Sequence, residues 1–285
     1  MATAIRRAAA KEADQQHRAQ SSPFTALVSA ITPPPRLHRV RPGVRCAIWT
    51  RPDLFTVDWQ DRLYTIMAEL SPRIFGVDFT SYWEVRRRDG LFGRLARFYL
   101  FADEAGEVVG WAGYQRKTFH GRGCLYFDIA AILPQFHGAG VITDVESRTV
   151  LRELLMHPWG PTYLVARTRN PRVYRSFQTA VGRDHLFPAI GRRAPEKVRM
   201  IALATAASMG QEQKLVENEQ RLVETYLPHL PKHFDKTPTS GDRNLDAWFA
   251  GALGPADAFL IVGEASLWRL GAYQLRKQLR RMWRP

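Results

Sequence analysis

The sequence predicts an α/β protein, and two observations indicate this class. Between residues 96 and 182, short apolar runs typical of strands alternate with amphipathic runs typical of helices. These runs follow the order strand, strand, strand, glycine-rich turn, helix, strand, helix, which favours a sheet covered by helices. At 285 residues, the chain is also long enough to bury one large core.

The start of the chain is predicted to be a tail, followed by a strand and helices. Residues 1–43 are basic in part, and the prolines at 33–35 favour a stiff spacer, so we expect a flexible Pro-rich tail. Residues 45–50 have strand character. Apolar residues at helical spacing predict helices over 58–70 and 81–90.

The middle of the chain, residues 44–190, is predicted to be the folded core. Two apolar runs joined by the turn sequence DEAG at 103–106 predict a β-hairpin. The almost continuously apolar run over 124–133 predicts a strand that is buried on both faces. A helix, a second buried strand and a helix opened by Asn170 follow. Their predicted bounds are 141–157, 161–169 and 171–182.

Residues 191–285 are predicted to form a mainly helical extension. Helical patterns cover 194–208 and 211–227, and a basic helix with apolar residues on its other side ends the chain. A late strand is predicted over 257–266.

The net charge and the cysteines restrict the class of function. With 41 Lys and Arg against 27 Asp and Glu, the formal net charge is +14, which favours an anionic partner such as an acyl carrier protein, nucleic acid or a membrane surface. A basic tail or a solvated basic face is the alternative. Cys46 and Cys124 are far apart, which excludes a cysteine-based zinc ribbon and makes the cytoplasm the expected location. The histidine spacings predict no metal site.

The glycine-rich turn PQFHGAGV, at residues 134–141, has the features of an anion-binding loop. The first amides of a helix lack intrahelical partners and point outward, and the helix dipole adds partial positive charge at this end. Gly138 and Gly140 remove Cβ atoms and permit positive φ. The turn matches neither a Walker loop nor a dinucleotide fingerprint. A tight connection that binds nothing is the alternative.

This turn resembles a known signature. Residues 135–140 are similar to the Q/R-x-x-G-x-G/A acetyl-CoA signature of the GNAT superfamily of N-acetyltransferases, and the surrounding elements over 44–185 agree in order. The resemblance implies a mixed, mostly antiparallel central sheet flanked by helices, with acetyl-CoA as acyl donor and no metal. The CoA-binding residues that it implies are Ala131, Ile132 and Leu133 for the pantetheine arm, Gln135, Phe136, His137, Gly138, Ala139 and Gly140 for the pyrophosphate loop, and Asn170. For Asn170, a helix cap is an alternative compatible role.

The catalytic residues are less well determined by the sequence. Asp128 is the candidate general base because it is the carboxylate within the apolar strand, although a structural bond to the backbone or an arginine is the alternative. Glu84 and Glu107 are weaker candidates. The family often has a tyrosine acid seven residues after the asparagine, but Phe177 occupies that position here. Tyr174 is the candidate acid if the helix is shifted, and packing is its alternative role.

The predicted function is therefore acyl-CoA-dependent N-acyl transfer, most simply acetyl transfer to an amine by direct attack through a tetrahedral intermediate. The acceptor class is unknown, and we expect residues 58–90 and the stretch after 183 to bind it. The alternatives are a longer acyl donor or an acyl carrier protein on the same fold, or a non-catalytic module that binds nucleic acid or membrane. A homodimer through the extension is a further expectation.

Overall fold

The computed structural model describes residues 23–158, 160–226 and 238–268. The helices are α1 (Pro23–Ser29), α2 (Val57–Phe75), α3 (Thr80–Arg88), α4 (Leu91–Arg94), α5 (Val141–Met156), α6 (Pro171–Val181), α7 (Glu196–Ser208) and α8 (Arg243–Ala252). The strands are β1 (Arg36–Arg41), β2 (Val44–Trp49), β3 (Arg97–Ala102), β4 (Val108–Phe119), β5 (Arg122–Ile132), β6 (Thr162–Thr168), β7 (Leu186–Phe187), β8 (Leu215–Val216), β9 (Arg221–Leu222) and β10 (Ala258–Ala265).

One mixed sheet forms the centre of the molecule. Its strand order is β1-β2-β3-β4-β5-β6-β10-β9-β8, and β7 also pairs with β10. Strands β5 and β6 pair in parallel, whereas the other neighbours in this order pair antiparallel. A parallel pair needs a crossover, and α5 provides it. The predicted fold class, a mostly antiparallel sheet flanked by helices, is confirmed.

Helices cover both faces of this sheet. Successive residues of a strand point to opposite faces, and on β4 the guanidinium of Arg116 pairs with Glu153 of α5, whereas Lys117 donates to Ser208 of α7. Trp83 of α3 packs on Trp111, which lies on the same side of β4 as Lys117. We call this side, covered by α3 and α7, the α7 face.

Residues 23–43 differ from the predicted flexible tail. The side chains of Phe24, Val28 and Ile31 are buried in the main core, and β1 forms a hairpin with β2. The indole of Trp49 donates to the carbonyl of Pro33 at 3.0 Å. The apolar residues of α1 explain the difference, because burying them outweighs the extended preference of the prolines. Residues 1–22 of the predicted tail lie outside the described residues.

The helix predicted over 211–227 is wrong for the described residues 211–226. A 3-10 turn and the short hairpin of β8 and β9 occupy this stretch. Leu222 is fully buried and pairs with Ala258 of β10, and the Gln220 side chain donates to the carbonyl of Leu260 at 3.3 Å. Pairing with the edge of β10 therefore outweighs the local helical pattern.

The late strand lies inside the central sheet. β10 agrees with the predicted 257–266 and pairs with the whole of β6. Residues 188–257 are thus inserted between β7 and β10, and the division at residue 190 stays a prediction about folding units. The predicted basic C-terminal helix lies, from residue 269 on, outside the described residues. Among the helices that are described, none is long and apolar enough to cross a bilayer.

Candidate active site

The parallel strands β5 and β6 separate part-way along their length. They pair over 124–127 and 163–166, so that Phe127 and Ala166 form the last pair. Beyond this pair, β5 stays bonded to β4 as far as Ile132, and β6 stays bonded to β10 as far as Thr168. Each strand therefore stays paired with its other neighbour, whereas the pairing between β5 and β6 ends. We call the opening between them the strand gap.

A β-bulge lies where the gap begins. Tyr114 of β4 pairs with Phe127, and Gly113 pairs with Ile129, so that Asp128 is an extra residue whose backbone has no register partner on β4. A bulge bends its strand and increases the twist. It therefore directs the end of β5 away from β6 and turns the Asp128 side chain to the α7 face.

One edge of the gap consists of backbone groups of β5. The amide of Leu133 donates to the carbonyl of Val109 at 2.9 Å. Hydrogen bonding alternates along an antiparallel pair, so Ala131 and Leu133 are bonded to β4, whereas Ala130 and Ile132 direct their backbone groups into the gap. Of the predicted pantetheine-contacting residues, Ile132 has the required orientation. Ala130 was missed because the alternation depends on the register with β4.

The glycine-rich loop lies directly after β5. Gly138 and Gly140 have φ values of 81° and 73°, and a Cβ atom on Gly138 would meet no atom within 4 Å. Helix α5 begins without a side-chain cap at Gly140, so its first amides have no intrahelical partner and face outward with the positive end of the dipole. The loop therefore fits an anion such as the pyrophosphate of CoA.

Arg41 places a cation beside this loop. Its Nη2 lies 3.3 Å from the position that a Cβ atom of Gly140 would occupy. Asp144, in the first turn of α5, forms ion pairs with Arg41 at 3.5 Å and with Arg148 at 2.8 Å. The nearby acid is thus neutralised. The sequence analysis missed Arg41 because it assigned residues 1–43 to a tail.

The other predicted loop residues have mixed surroundings. Gln135 and Ala139 are exposed, and Phe136 is half-buried against the main core. The exposed ring of His137 bonds through Nε2 to the carbonyl of Ile132 at 3.1 Å. His137 therefore covers a backbone group at the edge of the gap. The CoA-binding roles of these residues remain predictions.

Asn170 follows β6, at the same edge of the sheet as the loop. Its Oδ1 accepts a hydrogen bond from the amide of Arg172 at 2.9 Å, with Pro171 at the first helical position. This confirms Asn170 as the N-cap of α6. A contact with CoA stays a prediction that is compatible with capping.

Asp128 has the arginine partner that the sequence analysis gave as its alternative role. Its side chain is fully buried, and its Oδ2 accepts from Arg86 of α3 and from Gln115 of β4, the latter at 2.6 Å. Its Oδ1 is also buried and has no hydrogen-bond partner in the described ranges. One oxygen is thus held in place, and the other is an acceptor without a donor.

Arg167 lies opposite Asp128, as the first residue of β6 beyond the last pair. Its guanidinium donates to Thr225 at 3.0 Å, to Gln211 at 3.5 Å and to the hydroxyl of Tyr82 at 3.5 Å. The sequence analysis missed Arg167, although a charged residue inside an apolar strand is the signal that indicated Asp128. It missed Arg86 because a run of arginines at a helix end resembles a solvated face.

Tyr174 has the contacts of its alternative role, packing. Its hydroxyl donates to the carbonyl of Pro188 at 2.7 Å, its ring packs edge-on against Trp248, and burial raises its pKa to about 12. Phe177 packs against Phe127 of β5 with ring centroids 5.4 Å apart. Phe177 therefore occupies the position beside β5. The acid role of Tyr174 remains a prediction.

A separate cleft lies on the inserted segment. It is lined by Ile190, Gln220, Trp248 and residues close to them, and Phe259 of β10 also contributes to it. The part of the chain that the structure describes contains no cluster of His, Cys, Asp and Glu that could hold a metal ion. Both cysteines are buried and free.

No family model and no curated protein matches the chain. Among solved structures, the GNAT family N-acetyltransferase YhbS from Escherichia coli in complex with CoA is 18% identical, with 48% of this chain and 70% of that chain covered and a TM-score of 0.32. A GNAT family acetyltransferase from Brucella melitensis in complex with acetyl-CoA is 14% identical, with 42% and 74% covered and a TM-score of 0.29.

A third solved structure is the ribosomal-protein-S18-alanine N-acetyltransferase from Escherichia coli. It is 12% identical, with 78% of this chain and 95% of that chain covered and a TM-score of 0.36. All three belong to the class of enzyme that the sequence resemblance implied. At these identities and TM-scores the likeness does not decide the function, which we infer from the residues of this chain.

Proposed function

We propose that the protein is an acyl-CoA-dependent N-acyltransferase, most simply an acetyltransferase. The observation that supports this most is the strand gap, which opens directly at the glycine-rich loop and has an unpaired carboxylate oxygen at its closed end. An extended ligand with an anionic group at one end and a reactive group at the other fits such a site.

The donor would be held mainly by backbone groups. The amides of the loop and of the first turn of α5, within residues 138–142, would bind the pyrophosphate, and Arg41 would add a cation. Ala130 and Ile132 would pair with the pantetheine arm as a strand pairs with a free sheet edge. Since His137 bonds to the Ile132 carbonyl, its ring would have to release that group.

Acyl-CoA, when bound, supplies an acyl group activated as a thioester. Asp128 would accept a proton from the acceptor amine on its free Oδ1, while Arg86 and Gln115 hold Oδ2. The nitrogen forms a bond to the acyl carbon, the carbon–sulfur bond breaks, and the departing thiolate takes up a proton. The products are an amide and free CoA.

Thermal unfolding with and without acetyl-CoA tests donor binding. A ligand at 100 times its Kd stabilises the folded state by about 2.7 kcal/mol, which raises the Tm of a protein of this size by roughly 5 °C. We expect this shift in the wild type and its loss in Gly138→Glu, which places a carboxylate among the loop amides. Gly121→Glu is the matched control, because Gly121 also has positive φ, 70°, and open space around its Cβ position but lies in the β4–β5 turn. Absence of a shift with acetyl-CoA and with longer acyl-CoAs would contradict the proposal.

The base is tested separately with Asp128→Asn. We expect this variant to retain the acetyl-CoA shift and to lose turnover by about 10²- to 10⁴-fold, measured as thiol release with an amine found by screening amine classes. Undiminished turnover would show that another group takes the proton.

A further inference from the structure

We infer that the acceptor is an amine that also carries a carboxylate, and that Arg167 binds this carboxylate. The inference rests on the proposed function and adds the class of acceptor. Its starting observation is that the first residues beyond the last β5–β6 pair are Asp128 on one strand and Arg167 on the other.

Only one of the two arginines at this point has an acid to pair with among the described residues. The guanidinium of Arg86 is paired with Asp128. Arg167, which is half-buried, donates to the neutral groups of Thr225, Gln211 and Tyr82, and its guanidinium lies 4.9 Å from the ring centroid of Tyr226. A partly buried guanidinium without a counter-ion is unfavourable unless a ligand provides one.

The partners of Arg167 indicate from which side that ligand comes. Tyr82 belongs to α3, and Gln211 and Thr225 belong to the segment inserted after β7, so all three lie on the α7 face. The donor would occupy the gap within the sheet, and the acceptor must therefore approach over one face. On the α7 face it would meet the free Oδ1 of Asp128 and the guanidinium of Arg167 together.

A carboxylate matches the chemistry of this position. The planar guanidinium bonds a carboxylate through two parallel hydrogen bonds, and one carboxylate would neutralise the charge of Arg167. An amino acid has both groups that the site requires, an amine for Asp128 and a carboxylate for Arg167.

Matched pairs of acceptors test this inference. Amino acids and their carboxamides are compared as acceptors, with kcat/KM measured from CoA release. Near neutral pH, the amine of a carboxamide is less basic than that of the amino acid, so a larger fraction of it is unprotonated and able to attack. A preference for the amino acid must therefore come from the protein. We expect the wild type to prefer the acid by about 10- to 100-fold, the range of one hydrogen-bonded charge pair.

Two variants locate the effect. Arg167→Gln should abolish the preference by raising KM for the acids while leaving the carboxamides nearly unchanged, and Arg167→Lys should retain part of it. Arg122→Gln removes an exposed charge at the start of β5, outside the segments expected to bind the acceptor, and serves as control. Equal turnover of acids and carboxamides by the wild type, or an equal loss for both in Arg167→Gln, would overturn the inference while leaving acyl transfer intact. Absence of acyl-CoA binding or turnover would instead overturn the proposed function, and this inference with it.

Discussion

Replacing Gly110 by alanine should distort the edge of the strand gap. Gly110 of β4 lies opposite Ile132 of β5. A Cβ atom on Gly110 would lie 2.3 Å from the carbonyl oxygen of Ala131 and 2.8 Å from the Cα of Ile132. Both are backbone atoms, so β5 must move by about 1 Å to restore an ordinary contact. Overpacking in a core costs about 1 to 3 kcal/mol, and the rigid backbone places this substitution near 3 kcal/mol.

Gly113→Ala is the matched control, three positions along the same strand. There the nearest atoms are side-chain carbons, Cδ1 of Leu95 at 3.0 Å and Cγ1 of Ile129 at 3.1 Å, which can rotate or shift. We expect this variant to lose less than about 1 kcal/mol. Urea unfolding followed by circular dichroism measures both, with unchanged m-values as the check on comparability. Because Ile132 borders the gap, Gly110→Ala should also weaken acetyl-CoA binding. Equal stability of the two variants would refute the reasoning.

Two further predictions concern Tyr174 and Glu146. Tyr174→Phe removes a hydroxyl that donates to Pro188, so we expect a loss of about 1 kcal/mol in urea unfolding with turnover retained; loss of turnover at unchanged stability would instead support Tyr174 as the general acid. Glu146 is partly buried, and burial raises its pKa from 4.5 to about 8. The pKa of this carboxyl is higher in the folded than in the unfolded state. Its contribution to the free energy of unfolding is therefore fully present below pH 4.5 and is lost as the pH rises through about 8. Glu146→Gln should therefore be more stable than the wild type at pH 8.5 and not at pH 4.5, and an equal difference at both values would contradict this.

The elements around the strand gap could be predicted because their signals are local. The hairpin turn, the buried strands, the cap at Asn170 and the glycines at 138 and 140 depend on residues close together in the chain. Each was found with bounds that differ from the prediction by a few residues or less.

The geometry of the site could not be predicted, because it depends on pairing between distant segments. The bulge at Asp128 is defined only by the register of β5 against β4, and the β8–β9 hairpin forms only against β10. Arg41 lies beside the loop because it belongs to β1, and the prolines at 33–35 led the sequence analysis to predict a tail instead of this strand. Arg86 and Arg167 become part of the site only when α3 and β6 lie beside β5. For Arg167, a charge within an apolar strand was nevertheless visible in the sequence.

Amide hydrogen exchange with and without acetyl-CoA tests the central claim most directly, because it locates the ligand on the backbone. We predict slower exchange at the loop amides within 138–142 and at Ala130 and Ile132 when acetyl-CoA is present, with no change around the cleft lined by Ile190 and Gln220. Unchanged exchange along the loop, or protection confined to that cleft, would contradict the assignment of the strand gap as the acyl-CoA site.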